Sequence, residues 1–167
     1  MILYKELAFN DLLPSKDMPV IDCGCGDGRV SKAFYDEGYS VICIDIDQEK
    51  LDLAKKEMPK ATFICGDIGN VDIPNGFIIF NNVLQFLDTK EQVYSLIKKH
   101  LADPMYISIF GPEDEKKDTA LTWTREEVDA LMKDIGHVVR FTEFKGFGRG
   151  LLKQKRYTHA FTILRIL

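Results

Sequence analysis

The stretch VIDCGCGDGRV, Val20 to Val30, decides the fold. An apolar run of strand length meets glycines at positions 24, 26 and 28, and a run of helical period, VSKAFYDEG, follows. Glycines alternating between a strand and a helix let the main chain approach a ligand closely. In the helical run Val30, Ala33, Phe34 and Glu37 fall at helical spacing, and Gly38 stands where a C-cap belongs.

Outward from this stretch the same alternation continues. SVICID reads as a second strand and DQEKLDLAKKEM as a helix opened by Asp47 and closed before Pro59. ATFIC is a third strand, and GFIIF a fourth after the turn at Pro74, Asn75 and Gly76. DTKEQVYSLIKKHL is a helix with Asp88 as its expected N-cap and Glu91 completing a capping box. PMYISIF is a fifth strand, and WTREEVDALMKDIG a helix opened by Thr124 and closed at Gly136. HVVRFTEF and RYTHAFTILRIL are strand-like with no helix between them, so they should pair antiparallel. Ahead of everything, residues 1–18 form an N-terminal helical segment whose amphipathic helix ends before Pro14. Strands that are apolar throughout and alternate with helices build a parallel sheet covered on both faces. The expected class is α/β: a doubly wound, mostly parallel sheet with an antiparallel last strand, one domain over residues 1–167.

Composition narrows the function. A formal net charge of -4 gives no general attraction to nucleic acid or an anionic membrane. No apolar run reaches the roughly 20 residues of a membrane span, and the first residues lack the basic-then-apolar order of a secretory leader. Cys23, Cys25, Cys43 and Cys65 form no CxxC pair and fall near the ends of apolar runs, as buried unpaired thiols in a reducing, cytoplasmic setting would. His100, His137 and His159 share no ligand spacing with them, so no metal site is expected.

In an open parallel sheet a ligand sits at the carboxyl ends of the strands. Asp22 and the glycines close the first strand, Asp45 the second, Asp67 follows the third, and Asn81 and Asn82 follow the fourth. The spacing GxGxG departs from the GxGxxG of a dinucleotide fingerprint, with Arg29 at the sixth position, and no GxxxxGK[ST] loop occurs. Asp45 suits the two hydroxyls of a ribose. Asp67 suits an adenine amino group, with Ile46 and Ile68 as apolar faces for the ring. The acids Asp22 and Asp27 beside the loop oppose a pyrophosphate but not a ligand bearing ammonium and sulfonium charges. Its carboxylate would lie at the N-terminus of the following helix, helped by Arg29. These features together describe S-adenosylmethionine.

VIDCGCGDGRV, VICIDID, FICGDI and FIIFNNVLQFLD resemble, in order and spacing, the cofactor motifs of class I S-adenosylmethionine-dependent methyltransferases. GCGDGR, FIIFNNVLQFL and RYTHAFTILR are most similar to the tellurite-resistance-type members. The resemblance implies a seven-stranded sheet with an antiparallel last strand. It also implies that Gly24, Cys25, Gly26 and Gly28 hold the methionine part, Asp45 the ribose and Asp67 the adenine amino group, with the Asn81 main chain near the ammonium.

For methyl transfer the expected partner is a small-molecule acceptor. The chain lacks the (Asn/Asp)-Pro-Pro-aromatic run of enzymes methylating amide or exocyclic amine nitrogen, and a Pro-Cys nucleophile. No general base stands out; Tyr157 and His159 are the residues nearest that description. Residues 145–156, KGFGRGLLKQKR, read as a basic loop and lid in which Arg149, Lys153 and Arg156 attract an anionic acceptor, a chalcogen oxyanion among them. Two other classes stay open: a regulatory protein that binds S-adenosylmethionine without turnover, and a nicotinamide-dependent oxidoreductase.

Overall fold

The computed structural model describes residues 2–9, 11–112, 120–136, 138–149 and 155–165. The chain divides into two compact units, Met1–Ile79 and Phe80–Leu167.

The first unit contains α1 (Ile2–Phe9), β1 (Val20–Cys23), α2 (Arg29–Asp36), β2 (Val41–Asp45), α3 (Gln48–Glu57) and β3 (Thr62–Cys65). β4 (Phe77–Asn81) starts in this unit and ends in the second. The strand order here is β3-β2-β1-β4. β1 and β3 both run parallel to β2, with Cys23 opposite Ile44 and Asp45 opposite Cys65. β1 is buried along its whole length, as a parallel strand covered on both faces must be. β3, at the edge, is partly exposed throughout.

Phe34 of α2 anchors this unit. It is fully buried, and the rings of Tyr4 and Tyr39 meet it edge-on at 5.2 and 5.6 Å. α2 ends as its sequence foretold: Gly38 adopts φ 83°, and the N–H groups of Gly38 and Tyr39 return to the carbonyls of Tyr35 and Phe34. Asp47 caps α3 by accepting from the Lys50 main-chain N–H. A β-carbon at Gly76 would meet the Pro19 carbonyl oxygen at 2.5 Å, so only glycine lets the chain enter β4 there.

The second unit continues with α4 (Lys90–Lys99), β5 (Met105–Phe110), α5 (Arg125–Ile135), β6 (Val138–Arg149) and β7 (Lys155–Arg165). Its strand order is β4-β5-β7-β6. β7 is antiparallel to both neighbours, from Met105↔Arg165 to Phe110↔Ala160 on one side and from Val138↔Arg165 to Arg149↔Lys155 on the other. The Lys90 ammonium, 2.6 Å from a Glu127 carboxylate oxygen, ties α4 to α5, and the Tyr94 ring lies 5.6 Å from that of Trp123.

Three expectations need correction. α4 is capped by Thr89, not Asp88, and the box is closed by Gln92, not Glu91. The Thr89 hydroxyl accepts from the Gln92 N–H while the Gln92 carboxamide oxygen accepts from the Thr89 N–H. Threonine and glutamine three residues apart fit the motif as well as the acids one position earlier. Cys65 is exposed, whereas Cys23, Cys25 and Cys43 are buried. Within the stretch 145–156, Lys145 to Arg149 continue β6 and pair with His159 to Lys155 of β7, so these residues are strand and not loop, while residues 150–154 lie outside the described residues. Gly146 and Gly148 flank Phe147 in this ribbon.

Candidate functional site

The glycine turn and the end of β2 are joined directly. Asp45 closes β2 and is 8% exposed. One carboxylate oxygen accepts from the Gly26 N–H at 2.7 Å and the other from the Asp47 N–H at 2.9 Å. The N–H groups of Gly24 and Cys25 both donate to the Ile44 carbonyl, at 2.7 and 3.1 Å. The loop is therefore stitched to β2 by main-chain and side-chain bonds together. Gly24, Gly26 and Gly28 all take positive φ, of 72°, 55° and 79°, where a β-carbon is strained.

The glycines do different work. A β-carbon on Gly26 would find only the Lys50 side chain, at 3.9 Å, so its outer face is open to an approaching group. On Gly28 it would meet Met58 Cε at 2.6 Å and Ala54 Cβ at 3.0 Å, so this glycine lets α2 start close against α3. Gly28 is the N-cap of α2 and has no side chain to satisfy the first-turn N–H groups. Those donors and the helix dipole suit a carboxylate.

Asp22 sits beneath the loop, 1% exposed, and accepts from the Ser31 hydroxyl at 2.5 Å and from the Ser31 main-chain N–H. Burial pushes its carboxyl up to about 6, against the lowering effect of the Ser31 donors. Cys43 donates its thiol to the Ser31 oxygen at 3.3 Å. Contact with the Cys43 thiol, together with burial, pushes the Cys25 thiol up, and burial does the same for Cys23. Arg29, at the first position of α2, is exposed and already paired with Asp27 at 2.9 Å. Lys50 pairs with Asp47 at 3.1 Å, and the same partner holds its ammonium above the ordinary range.

Asp67 follows β3 on the edge where Asp45 closes β2. Its oxygens accept from the Gly69 N–H and the Asn70 carboxamide, each at 2.9 Å, in a turn of its own. Ile46 is 72% exposed and offers an apolar face beside Asp45, whereas Ile68 is 6% exposed and packs inward. Asn81 closes β4 in the second unit. The main chain of Arg149 lies in β6, and that of Arg156, Tyr157 and His159 in β7; Lys153 falls outside the described residues. Trp123 is fully buried and covers no surface. No cluster of three or more metal-ligating side chains occurs among the described residues.

Ser31 and Lys50 escaped the sequence reading. Ser31 lies three residues past Gly28, the position that faces an N-cap, and Lys50 three past the capping Asp47, so helical spacing carried a signal for both.

The profile of the family described as "Methyltransferase domain" matches residues 20–103. The biotin biosynthesis bifunctional protein BioHC of Cellvibrio japonicus is 30% identical over 99 residues, 56% of this chain and 20% of that protein. The chain thus spans about a fifth of the length of the curated relative it matches. Among solved structures, one of SAM-dependent methyltransferases from Methanosarcina mazei superposes with a TM-score of 0.73 at 18% identity, covering 96% of this chain and 97% of that one. TehB from Haemophilus influenzae superposes at 0.72 with 22% identity, covering 94% of this chain and 59% of that one. At these identities the likeness is one of fold.

Proposed function

This chain belongs to the methyltransferase-domain family, and on that premise we propose that it transfers the methyl group of S-adenosylmethionine to a small anionic acceptor. The observation that carries this reading is the Asp45 carboxylate bonded to the Gly26 N–H, which joins a ribose-binding acid to an open glycine turn. Each Asp45 oxygen accepts one bond from the main chain and keeps a lone pair for a ribose hydroxyl.

The group supplies, when bound, a methyl made electrophilic by the sulfonium that carries it. The protein's part is binding, orientation and exclusion of water. The first-turn N–H groups of α2 that Asp22 does not take would hold the carboxylate, with Arg29 assisting by exchanging Asp27 for it. Gly24, Cys25 and Gly26 offer main chain to the methionine part. Asp67 accepts from the adenine amino group through a lone pair its turn leaves free, and Ile46 covers one face of the ring. Ile68, buried as it is, is the weaker of the two candidates for the ring. The family resemblance assigns the Asn81 main chain to the ammonium. Alignment of acceptor and methyl in one complex supplies effective molarity worth on the order of 7–11 kcal/mol in favourable cases, so no general base is needed. Tyr157 and His159 orient the acceptor in this reading.

Arg149, Lys153 and Arg156, in the basic stretch 145–156, recruit the anion in this reading. The tellurite-resistance-type resemblance of GCGDGR, FIIFNNVLQFL and RYTHAFTILR makes a chalcogen oxyanion the first acceptor to try. The test is calorimetry with S-adenosylmethionine and NAD, then a labelled-methyl assay with selenite and small carboxylates. Binding of S-adenosylmethionine with methyl transfer supports the reading. Binding without transfer to any acceptor favours the regulatory alternative, and NAD binding alone favours the oxidoreductase. Neutralising Arg149, Lys153 and Arg156 together raises the acceptor KM and leaves cofactor affinity unchanged; equal loss of both defeats the recruiting role.

A further inference from the structure

The turn after β4 holds two carboxamides that cofactor binding does not use. Asn82 is exposed and takes φ 54°, a left-handed conformation that asparagine tolerates better than most residues with a β-carbon. Two bonds to Ser108 of β5 fix it there. Its main-chain N–H donates to the Ser108 carbonyl at 3.1 Å, and its Oδ1 accepts from the Ser108 hydroxyl at 2.9 Å. Ser108 is buried, so the hydroxyl that holds Asn82 is anchored in the core. The part of the carboxamide left over is Nδ2, whose two hydrogens have no partner among the described residues. Three residues on, the carboxamide of Gln85 is buried, and neither its nitrogen nor its oxygen has a partner among the described residues. The Gln85 carbonyl accepts from the Leu121 N–H at 2.7 Å, which pins the helical turn Leu84–Phe86 in place. In the same turn Phe86 is exposed, with its ring 6.5 Å from that of Phe110, and adds an apolar edge.

A buried polar side chain with no partner is rare in a folded protein and marks a place for water or a ligand atom. β4 ends at Asn81, so this turn leaves the carboxyl end of a strand, the edge where an open α/β sheet takes its ligands. We propose that Asn82 is a specificity-determining residue of the acceptor site, donating from Nδ2 to an oxygen of the acceptor, with Ser108 as the residue that positions it. The inference rests on the methyl-transfer reading above and deepens it by naming what selects the acceptor. The Ser108 hydroxyl occupies the accepting half of the carboxamide, so donors are what Asn82 has left to offer. Such a group favours an oxyanion or carboxylate oxygen and gives nothing to an ammonium, which needs an acceptor. The unmatched carboxamide of Gln85 in the same turn is an independent mark of a polar guest.

The experiment uses the full chain saturated with S-adenosylhomocysteine, so that no methyl is transferred. Proton–nitrogen correlation spectra follow the Asn82 side-chain amide during titration with selenite, acetate and methylammonium. In the wild type its resonances should move saturably with selenite and acetate and stay still with methylammonium. Asn82→Gly suits the backbone at φ 54° and removes only the carboxamide. In that variant anion binding, followed at the Val83 N–H, should weaken at least about tenfold, the scale of a hydrogen bond to a charged group. Asn82→Asp puts an oxygen where Nδ2 stood, so anions should be lost and methylammonium taken instead. Ser108→Ala lets the carboxamide turn over, and the preference for anions over methylammonium should narrow. A purely structural Asn82 would leave the glycine variant binding anions as the wild type does. That result, an aspartate variant that keeps the anions, or wild-type amide resonances indifferent to both anions overturns the inference, while S-adenosylmethionine binding, measured by calorimetry on the same protein, stays intact. A protein that binds neither S-adenosylmethionine nor S-adenosylhomocysteine overturns the functional reading itself, and the inference with it.

Discussion

Replacing Asp22 by asparagine should make the protein gain stability on the wild type as the pH rises to neutral. The native carboxyl titrates near 6 against an ordinary value of 3.8. Between those values the folded state holds a proton that the unfolded chain has released. Stability from this group is therefore full below about 4, falls as pH rises, and is lost above about 6. A rise from 3.8 to about 6, at roughly 1.4 kcal/mol for each tenfold change in proton affinity, amounts to about 3 kcal/mol. Asparagine keeps an oxygen for the Ser31 donors and carries no charge, so it avoids this cost across the range. Urea unfolding at pH 4, 5, 6, 7 and 8 should show the variant gaining on the wild type by up to about 3 kcal/mol from pH 4 to 7, then running parallel to it. Taking the difference between the two proteins cancels the titration of groups they share. Parallel curves throughout, or a variant that loses ground as pH rises, would refute the argument that burial dominates the Ser31 donors.

Asp45→Ala removes the acceptor shared by Gly26 and Asp47 and should weaken S-adenosylmethionine binding by at least about 1.5 kcal/mol in calorimetry; unchanged affinity would remove Asp45 from the site. Gly28→Ala should cost about 2–4 kcal/mol in urea unfolding, adding a left-handed residue to a contact with Met58 and Ala54. Met58→Ala in the same chain should recover part of it; no recovery would assign the whole cost to the backbone. Thr89→Ala should cost about 1 kcal/mol and Asp88→Ala less than about 0.5 kcal/mol, and the reverse order would restore Asp88 as the cap.

The strand ends carried the legible part. Alternating glycines after a buried run, an acid at the end of the next strand and another past the third are features of spacing, and spacing is what a sequence displays. What escaped was the partner each group chooses. Asp67 reads as a free acid, yet its oxygens close a turn with Gly69 and Asn70. Ile46 and Ile68 read as equivalent faces, but only tertiary packing decides that one is exposed and the other buried. Asp88 and Thr89 are rival caps one residue apart, and the choice rests on which side chain meets the Gln92 N–H. Gly146 and Gly148 read as loop because glycine weakens a strand on its own; pairing with β7 along the whole ribbon overrides that preference. Gly28 reads as ligand-binding, and the crowding by Met58 and Ala54 is invisible without α3 in place.

Among the described residues, β7 pairs with both β5 and β6 from Ala160 to Arg165 and with β6 from Lys155 to His159. That outer stretch is a two-stranded overhang, and its geometry is modular. Adding one residue to each strand lengthens it without disturbing any register nearer β5, since every inner pair keeps its partner. The reach of the hairpin can therefore drift between descendants of this chain while the glycine turn and Asp45, in the other unit, stay as they are.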